Sequence, residues 1–400
     1  MKRILFVDDG TSIRDGLRNV VWFQRGEWTT VFSACGAAAL EELARAPFDA
    51  IVTDLRLTDM DAAALLTRVR QLYPQMLRVS LSADVDDDAF VRAVPVTHQF
   101  LTRPVSPDKL RDTIERACGL RSVLENEHLR ALIGELDQLP STPSIFNELS
   151  RAIAHPNAHT GDITAIVSRD TALSVKILQI VNSAYFNLSQ PIKSIHAAVN
   201  YVGLEMIKAL ALSACLFCCV DGASNTGRLL ESLQARARRK AQLARSLMAG
   251  SRHADEAFTA ALLLDIGQAV FVLRSAPHFT RVLERSRLAG RPQQELEQEI
   301  FGVAHPEVGA YLLSLWGLPL ELIEAVAYHH RPSGVEHPQT EMLTAVHIAD
   351  AVIDAAADNT RLLEQLDGAF IHRSEVARRL QAWNLDAEST AGTARVSFAG

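Results

Sequence analysis

Ile4-Leu5-Phe6-Val7-Asp8-Asp9 sets four apolar residues directly against two carboxylates. An apolar run of strand length with an abrupt polar end reads as a strand buried on both faces. Further out, Thr29-Thr30-Val31-Phe32, Ala50-Ile51-Val52-Thr53, Leu77-Arg78-Val79-Ser80-Leu81 and His98-Gln99-Phe100-Leu101 have the same length, with a helix-length segment between successive runs. Strands alternating with helices need crossovers, so residues 1–118 are expected to form an α/β domain with a doubly wound, parallel, five-stranded sheet. Ligands of such sheets bind beyond the carboxyl ends of the strands. The residues there are Asp8-Asp9, Asp54, Ser82-Ala83 and Arg103-Pro104.

From Ser106 the strand signal stops. Ser106-Pro107 has the pattern of a helix N-cap followed by Pro, and Leu110, Ile114, Ala117, Leu120 and Leu124 continue a helical stripe past the end of the first domain. Residues 119–136 are therefore read as a helical connector projecting toward a second, all-helical domain over 137–354. Helices are expected over Ile163–Ile180, Ile195–Phe217, Leu229–Met248, Ala257–Leu273, Val308–Leu315, Leu320–His329 and Met342–Asp354, with a C-terminal helical extension over 355–400 that frays beyond Asp386.

The chain of 400 residues is too long for one ordinary core, and 48% hydrophobic with 22% charged residues describes globular material. A net charge of -7 argues against a protein that coats nucleic acid or an anionic membrane. No apolar run reaches the ~18–20 residues that span a bilayer, and Asp8-Asp9 follow the start too soon for a signal peptide, which gives a cytoplasmic reading. Cys215, Cys218 and Cys219 lie in an apolar stretch and read as small hydrophobes in a reducing compartment. The basic run Arg236, Arg238, Arg239, Lys240 and Arg245 has no interleaved aromatic and reads as a solvated helix face, so nucleic acid is not expected as a partner.

Asp8, Asp9 and Asp54 would converge at one sheet edge. Carboxylates that close repel unless a cation sits among them, and a small hard cation such as Mg²⁺ suits a few carboxylates with waters and phosphate oxygens. That is the chemistry of phosphoryl transfer to a carboxylate. With these residues in this order, the segment resembles a response-regulator receiver domain, a flavodoxin-like fold. The resemblance implies that Asp8, Asp9 and Asp54 hold Mg²⁺ and that Asp54 accepts the phosphoryl group. It further implies that Ser82 senses that group, Phe100 is the switching aromatic, and Arg103 stands where the family has Lys. Arg spreads its charge over a wide planar fork, so this exchange alters the phosphate site.

In the helical region His305, His329, His330 and His347 gather with Asp265 and Asp350. HD-type phosphohydrolases need a His, an adjacent His-Asp pair and a later Asp. Here the pair reads Leu264-Asp265, and Arg236 occupies the expected position of the upstream ligand. Asp265 is accordingly read as a helix-end carboxylate satisfied by backbone donors, His305 as a helix cap or packing residue, and His329 and His330 as last-turn histidines facing the helix dipole. The motifs Leu139-Pro-Ser-Thr-Pro143, Val181-Asn-Ser-Ala-Tyr185, Ile192-Lys-Ser-Ile195, Gly203, Leu263-Leu-Asp265-Ile-Gly267, His305-Pro-Glu-Val-Gly309, Trp316-Gly-Leu-Pro319 and His329-His330 resemble the HDOD family, an HD-related output domain. This implies a non-catalytic domain that binds a partner, with Arg236, Asp265, His305, His329, His330 and Asp350 as a vestigial site and no cofactor. The expected whole is a two-component response regulator. Its partners are a sensor histidine kinase or phosphotransfer protein, an unidentified downstream signalling protein and, optionally, a second copy. The rival readings are an HD-type cyclic-dinucleotide phosphodiesterase and a DNA-binding transcription regulator.

Overall fold

The computed structural model describes residues 1–10, 27–82, 87–123, 133, 139–141, 143–155, 159–183, 186, 188–204, 206–207, 224–335, 340–355 and 366–371. The N-terminal sheet comprises β1 (Lys2–Val7), β2 (Trp28–Ser33), β3 (Ala50–Asp54), β4 (Leu77–Ser82) and β5 (Gln99–Thr102), all parallel in the order β2-β1-β3-β4-β5. Interleaved are α1 (Gly36–Arg45), α2 (Ala62–Leu72), α3 (Asp87–Ala93) and α4 (Pro107–Val123). Each strand read from the sequence is present, moved by a residue or two at its ends.

Side-chain alternation divides the sheet into two faces. Leu5, Val7 and Ile51 pack under α1 and α2 with Leu43, Leu65, Leu66 and Val69. Ile4, Phe6, Val52, Val79 and Leu81 face the other way, in an apolar core that continues without a break into the helical domain.

That domain contains α5 (Pro143–Ala154), α6 (Thr160–Val167), α7 (Thr171–Val181), α8 (Ile195–Val202), α9 (Asn225–Leu247), α10 (Ala254–Leu263), α11 (Ile266–Ala289), α12 (Gln293–Phe301), α13 (His305–Leu315), α14 (Leu320–Tyr328), α15 (Thr340–Ala355) and the short α16 (Gly368–Ile371). Two expected helices are each split. Asp170 caps α7 by accepting from Leu173 N at 2.9 Å, so the Ile163–Ile180 stripe breaks there. The Ala257–Leu273 stripe breaks at Leu264-Asp265, which turns the chain from α10 into α11. Gly203, at φ +77°, ends α8 where a longer helix was expected. Residues 208–217 of that expected helix, including Cys215, lie outside the described residues, as do Cys218, Cys219 and 372–400. Of the extension, α16 is anchored by fully buried Phe370 and by Asp367, which accepts from Ser333 N at 2.9 Å. The stretch Ala254–Ala289 is long and apolar enough to cross a membrane, but 83% of its apolar window is buried in the fold.

The two domains touch directly. Lys176 Nζ of α7 donates to Val94 O at 3.0 Å, Gln179 Nε2 donates to His98 O at 3.0 Å, and Gln99 Nε2 donates to Ser314 O and Leu315 O at 3.2 Å each. Helix α4 packs on α13. The sequence reading carries α4 on as a helical connector over 119–136; α4 runs to Val123, and of residues 124–136 all but Ile133 lie outside the described residues. Besides α4, the C-terminal part of the sheet meets the helical domain, where buried amides close otherwise open backbone carbonyls.

Candidate functional site

At the carboxyl edge of the sheet, Asp8 follows β1 and is 1% exposed, Asp54 ends β3, and Arg103 follows β5. The Arg103 guanidinium spans the two acids, in contact with Asp8 Oδ2 and 3.1 Å from Asp54 Oδ2. Asp8 Oδ1 accepts from Gly10 N at 2.8 Å. Burial pushes the Asp54 carboxyl above its usual value, an effect that Arg103 opposes and Asp8 reinforces. Buried Arg103 Nε has no acceptor. Asp9 is exposed beside this cluster. Because Asp8 and Asp54 reach the same guanidinium, both could also reach one small cation, and an all-oxygen donor set fits Mg²⁺. Ser82 closes β4 opposite Thr102 in β5; its side chain is outside the described part. Phe100 is buried, its ring 4.6 Å from that of Phe90 on α3. Of the residues expected to work together at this edge, Asp8, Asp54 and Arg103 are brought together, Asp9 is exposed and Phe100 packs inward.

The second cluster lies where α9, α11, α13, α14 and α15 meet. Glycine makes this convergence possible: a Cβ on Gly267 would fall 2.1 Å from His305 O, so α11 and α13 can approach only with Gly there. The close approach sets Asp265, just before α11, against His305, the first residue of α13.

Lys240 is the residue the sequence reading misplaced. It was assigned to a solvated basic face, yet it is fully buried, with Nζ 2.6 Å from Asp265 Oδ2, 2.5 Å from Asp350 Oδ1 and 3.2 Å from Asp354 Oδ1. Arg239 and Arg245 of the same run are exposed, as expected. The available signal was spacing: Ala237, Ala241 and Ala244 mark the buried stripe of α9, and position 240 falls on it. Arg236, one turn earlier, reaches Asp265 Oδ2 at 3.2 Å and Gln268 Oε1 at 2.8 Å. Asp265 is therefore held by these two side-chain cations and not by backbone donors. Burial would raise its carboxyl, but Lys240 and Arg236 hold it well below the usual carboxylate range. Burial likewise opposes the Lys240 charge, and Asp265 and Asp350 overcome it and raise its affinity for the proton.

His305 does not act as a cap. Its Nδ1 lies 2.6 Å from Glu297 Oε2. His329 follows α14, with Nδ1 2.8 Å from Val326 O, the last-turn arrangement expected of it. His330 Nδ1 lies 3.4 Å from Asp350 Oδ2. His347 stands apart, its Nδ1 2.6 Å from His329 O and its Nε2 accepting from Asp367 N at 3.0 Å. A cavity of about 580 Å³ opens onto the cluster, lined in part by Arg236, Arg287, Arg291, Arg331, His305 and His330.

Comparison with known proteins matches both parts of the chain to families. The response regulator receiver domain model matches residues 4–115 and the HDOD domain model matches 139–332. The chain is a receiver domain joined to an HDOD domain. An uncharacterized protein of Treponema pallidum is 28% identical over 280 residues, covering 65% of this chain and 52% of that protein. The chain thus spans about half the length of this relative. The DNA-binding transcriptional regulator NtrC of Escherichia coli is 31% identical over 154 residues, 36% of this chain and 32% of NtrC. The crystal structure of a virulence factor from Campylobacter jejuni superposes with a TM-score of 0.52 at 17% identity, covering 67% of this chain and 99% of that one, which extends the likeness in fold alone. The union of a receiver domain with HDOD fits a response regulator with an output domain.

Proposed function

We propose that Asp54 is the phosphoacceptor of a two-component relay and that its phosphorylation controls how the receiver docks on a non-catalytic, protein-binding HDOD domain. The observation that carries this reading is Arg103, bridging Asp8 and Asp54 with a buried Nε donor left unused. An Asp54 carboxylate oxygen attacks phosphorus, an O–P bond forms as the N–P bond to the kinase's phosphohistidine breaks, and the electron pair returns to the leaving imidazole. Asp8, Asp9 and Asp54 would hold Mg²⁺, which supplies neutralisation of charge on the phosphoryl oxygens. Arg103 and the Ser82 hydroxyl then bind the new phosphoryl oxygens.

Drawing Arg103 toward the phosphoryl group pulls on the C-terminal end of β5, the strand that begins with the docking residue Gln99 and Phe100. Such a ligand shifts an existing equilibrium by its difference in interaction with the two states. The proposed location is cytoplasmic, and the proposed downstream partner is a signalling protein.

The test is incubation with a small acyl phosphate and Mg²⁺, read by intact mass. One phosphoryl group is expected on the wild type and none on Asp54→Asn; equal labelling of the two would remove Asp54 from its role.

A further inference from the structure

All four oxygens of the two acids that Arg103 bridges face a nitrogen donor. Asp8 Oδ1 accepts from Gly10 N at 2.8 Å, and Asp8 Oδ2 meets one terminal nitrogen of Arg103. Asp54 Oδ1 accepts from Arg56 N at 3.5 Å, and Asp54 Oδ2 lies 3.1 Å from the other terminal nitrogen of Arg103. A cation that enters between these acids must take an oxygen from one of those donors. Gly10 N and Arg56 N are backbone groups, placed by the chain as it leaves β1 and β3. Arg103 reaches the acids on a long side chain.

The guanidinium is thus the donor that can leave. Its Nε is buried without an acceptor, and among the described residues Asp8 and Asp54 are its only ionic partners. Its departure is also what electrostatics requires. A divalent ion and a guanidinium on the same two carboxylates repel each other, and with the Asp8 side chain 1% exposed and that of Arg103 10% exposed, water screens them weakly.

We propose that Arg103 is the resident counter-ion of the receiver edge and competes with Mg²⁺ for Asp8 and Asp54, so that the metal enters only as the guanidinium withdraws. The proposal rests on the reading of Asp8 and Asp54 as ligands for Mg²⁺ and adds a regulator to that site. It is particular to arginine. A guanidinium is more weakly hydrated than an ammonium and offers each acid its own nitrogen, so it gives up less on being buried between them. The chain therefore needs more Mg²⁺ than it would with Lys at this position. Linkage is reciprocal: Mg²⁺ loosens Arg103 by the factor by which Arg103 weakens Mg²⁺, and the loosened guanidinium is free to meet a phosphoryl oxygen. The rival arrangement has both cations on the acids without conflict, with Arg103 helping to place them.

Full-length protein, stripped of metal with a chelator, would be titrated with Mg²⁺ by calorimetry in the absence of any phosphodonor. Coupling between sites commonly amounts to about 5–150-fold, so Arg103→Met, which has no charge to compete, should bind Mg²⁺ at least about tenfold more tightly than the wild type. Arg103→Lys should fall between the two. Arg111→Met, which removes a partner of Asp108 and Asp112 on α4, should bind as the wild type does. A second measurement needs no folded variant at low metal: the Arg103 Nε–H signal in nitrogen-15 spectra of the wild type, assigned by its absence in Arg103→Lys, should shift as Mg²⁺ saturates. Affinities that agree within about threefold between the wild type and Arg103→Met, weaker binding by Arg103→Met, or an Arg103 signal unmoved by saturating Mg²⁺ would overturn the proposal. Phosphoryl uptake at Asp54 together with equal Mg²⁺ affinities would strike the competition alone and leave the phosphoacceptor reading standing. Tighter Mg²⁺ binding by Arg103→Met without any uptake at Asp54 would do the reverse.

Discussion

Lys240 Nζ and Asp265 Oδ2 lie 2.6 Å apart in a cluster whose ammonium is wholly removed from solvent. The other domain repeats the device, with Arg103 between Asp8 and Asp54. In both places a basic side chain tethered to the fold lies among carboxylates that would otherwise repel. The difference is access: Asp54 is 19% exposed, whereas Asp265 and Asp350 are each 4% exposed.

Lys240→Met should therefore be costly. Removing one partner of a buried ion pair leaves charge uncompensated and typically costs about 3–5 kcal/mol. Urea unfolding followed by far-ultraviolet circular dichroism should show this loss for Lys240→Met, while Arg239→Met, on the exposed side of the same helix, should stay within about 0.5 kcal/mol of the wild type. Equal effects would mean that the Lys240 cluster carries no special weight.

The Gly267 contact makes a steric prediction. A Cβ placed 2.1 Å from His305 O cannot be absorbed by a rotamer change, because the obstacle is backbone. Gly267→Ala should force α11 away from α13 and cost at least the ~1–3 kcal/mol typical of overpacking. Gly161→Ala, where a Cβ would meet nothing within 4 Å, is the matched control in the same domain.

Acidification should loosen the domain junction through His98. The imidazole is buried, and burial first, then Arg78 and Lys176, hold its pKa well below 6.5. The unfolded chain takes up this proton near pH 6.5 and the folded chain does not, so His98 subtracts stability as pH falls below about 6.5 and has no effect above it. The melting temperature should fall between pH 7 and pH 5, and His98→Gln should fall less steeply. Parallel curves would show that other groups govern the acid limb.

Much of the fold could be read from the sequence because period and punctuation are local. Four apolar residues ending in Asp8-Asp9 suffice to define β1, and the helical stripes predicted most of the helical domain. Breaks at Asp170 and Asp265 were missed because each apolar stripe runs on through the break; Asp170 ends one helix by capping the next. The acids of the receiver edge were legible because strand ends map directly onto sheet geometry. Lys240 was not, since its charge suggested solvent while its register in α9 placed it in the core. The histidine convergence depends on five helices meeting, and sequence order alone does not report that. Domain docking through Gln99 and Gln179 joins residues 81 or more positions apart, which is invisible to any local pattern.

Gln179→Ala with Gln99→Ala should weaken that docking by about 1 kcal/mol per lost hydrogen bond, or more where a carbonyl is left buried. Backbone hydrogen exchange over 94–102 and 171–181 should accelerate in the double variant, with the core of α9 unaffected. Unchanged exchange would mean that apolar contacts alone hold the junction.

The most direct test of the account is hydrogen exchange over β5 and α7 with and without acyl phosphate and Mg²⁺, in the wild type and in Asp54→Asn. The account predicts faster exchange at Gln99–Thr102 and Thr171–Val181 on phosphorylation of the wild type and no change in Asp54→Asn. A wild type that takes up the phosphoryl group yet exchanges identically in both segments would contradict it.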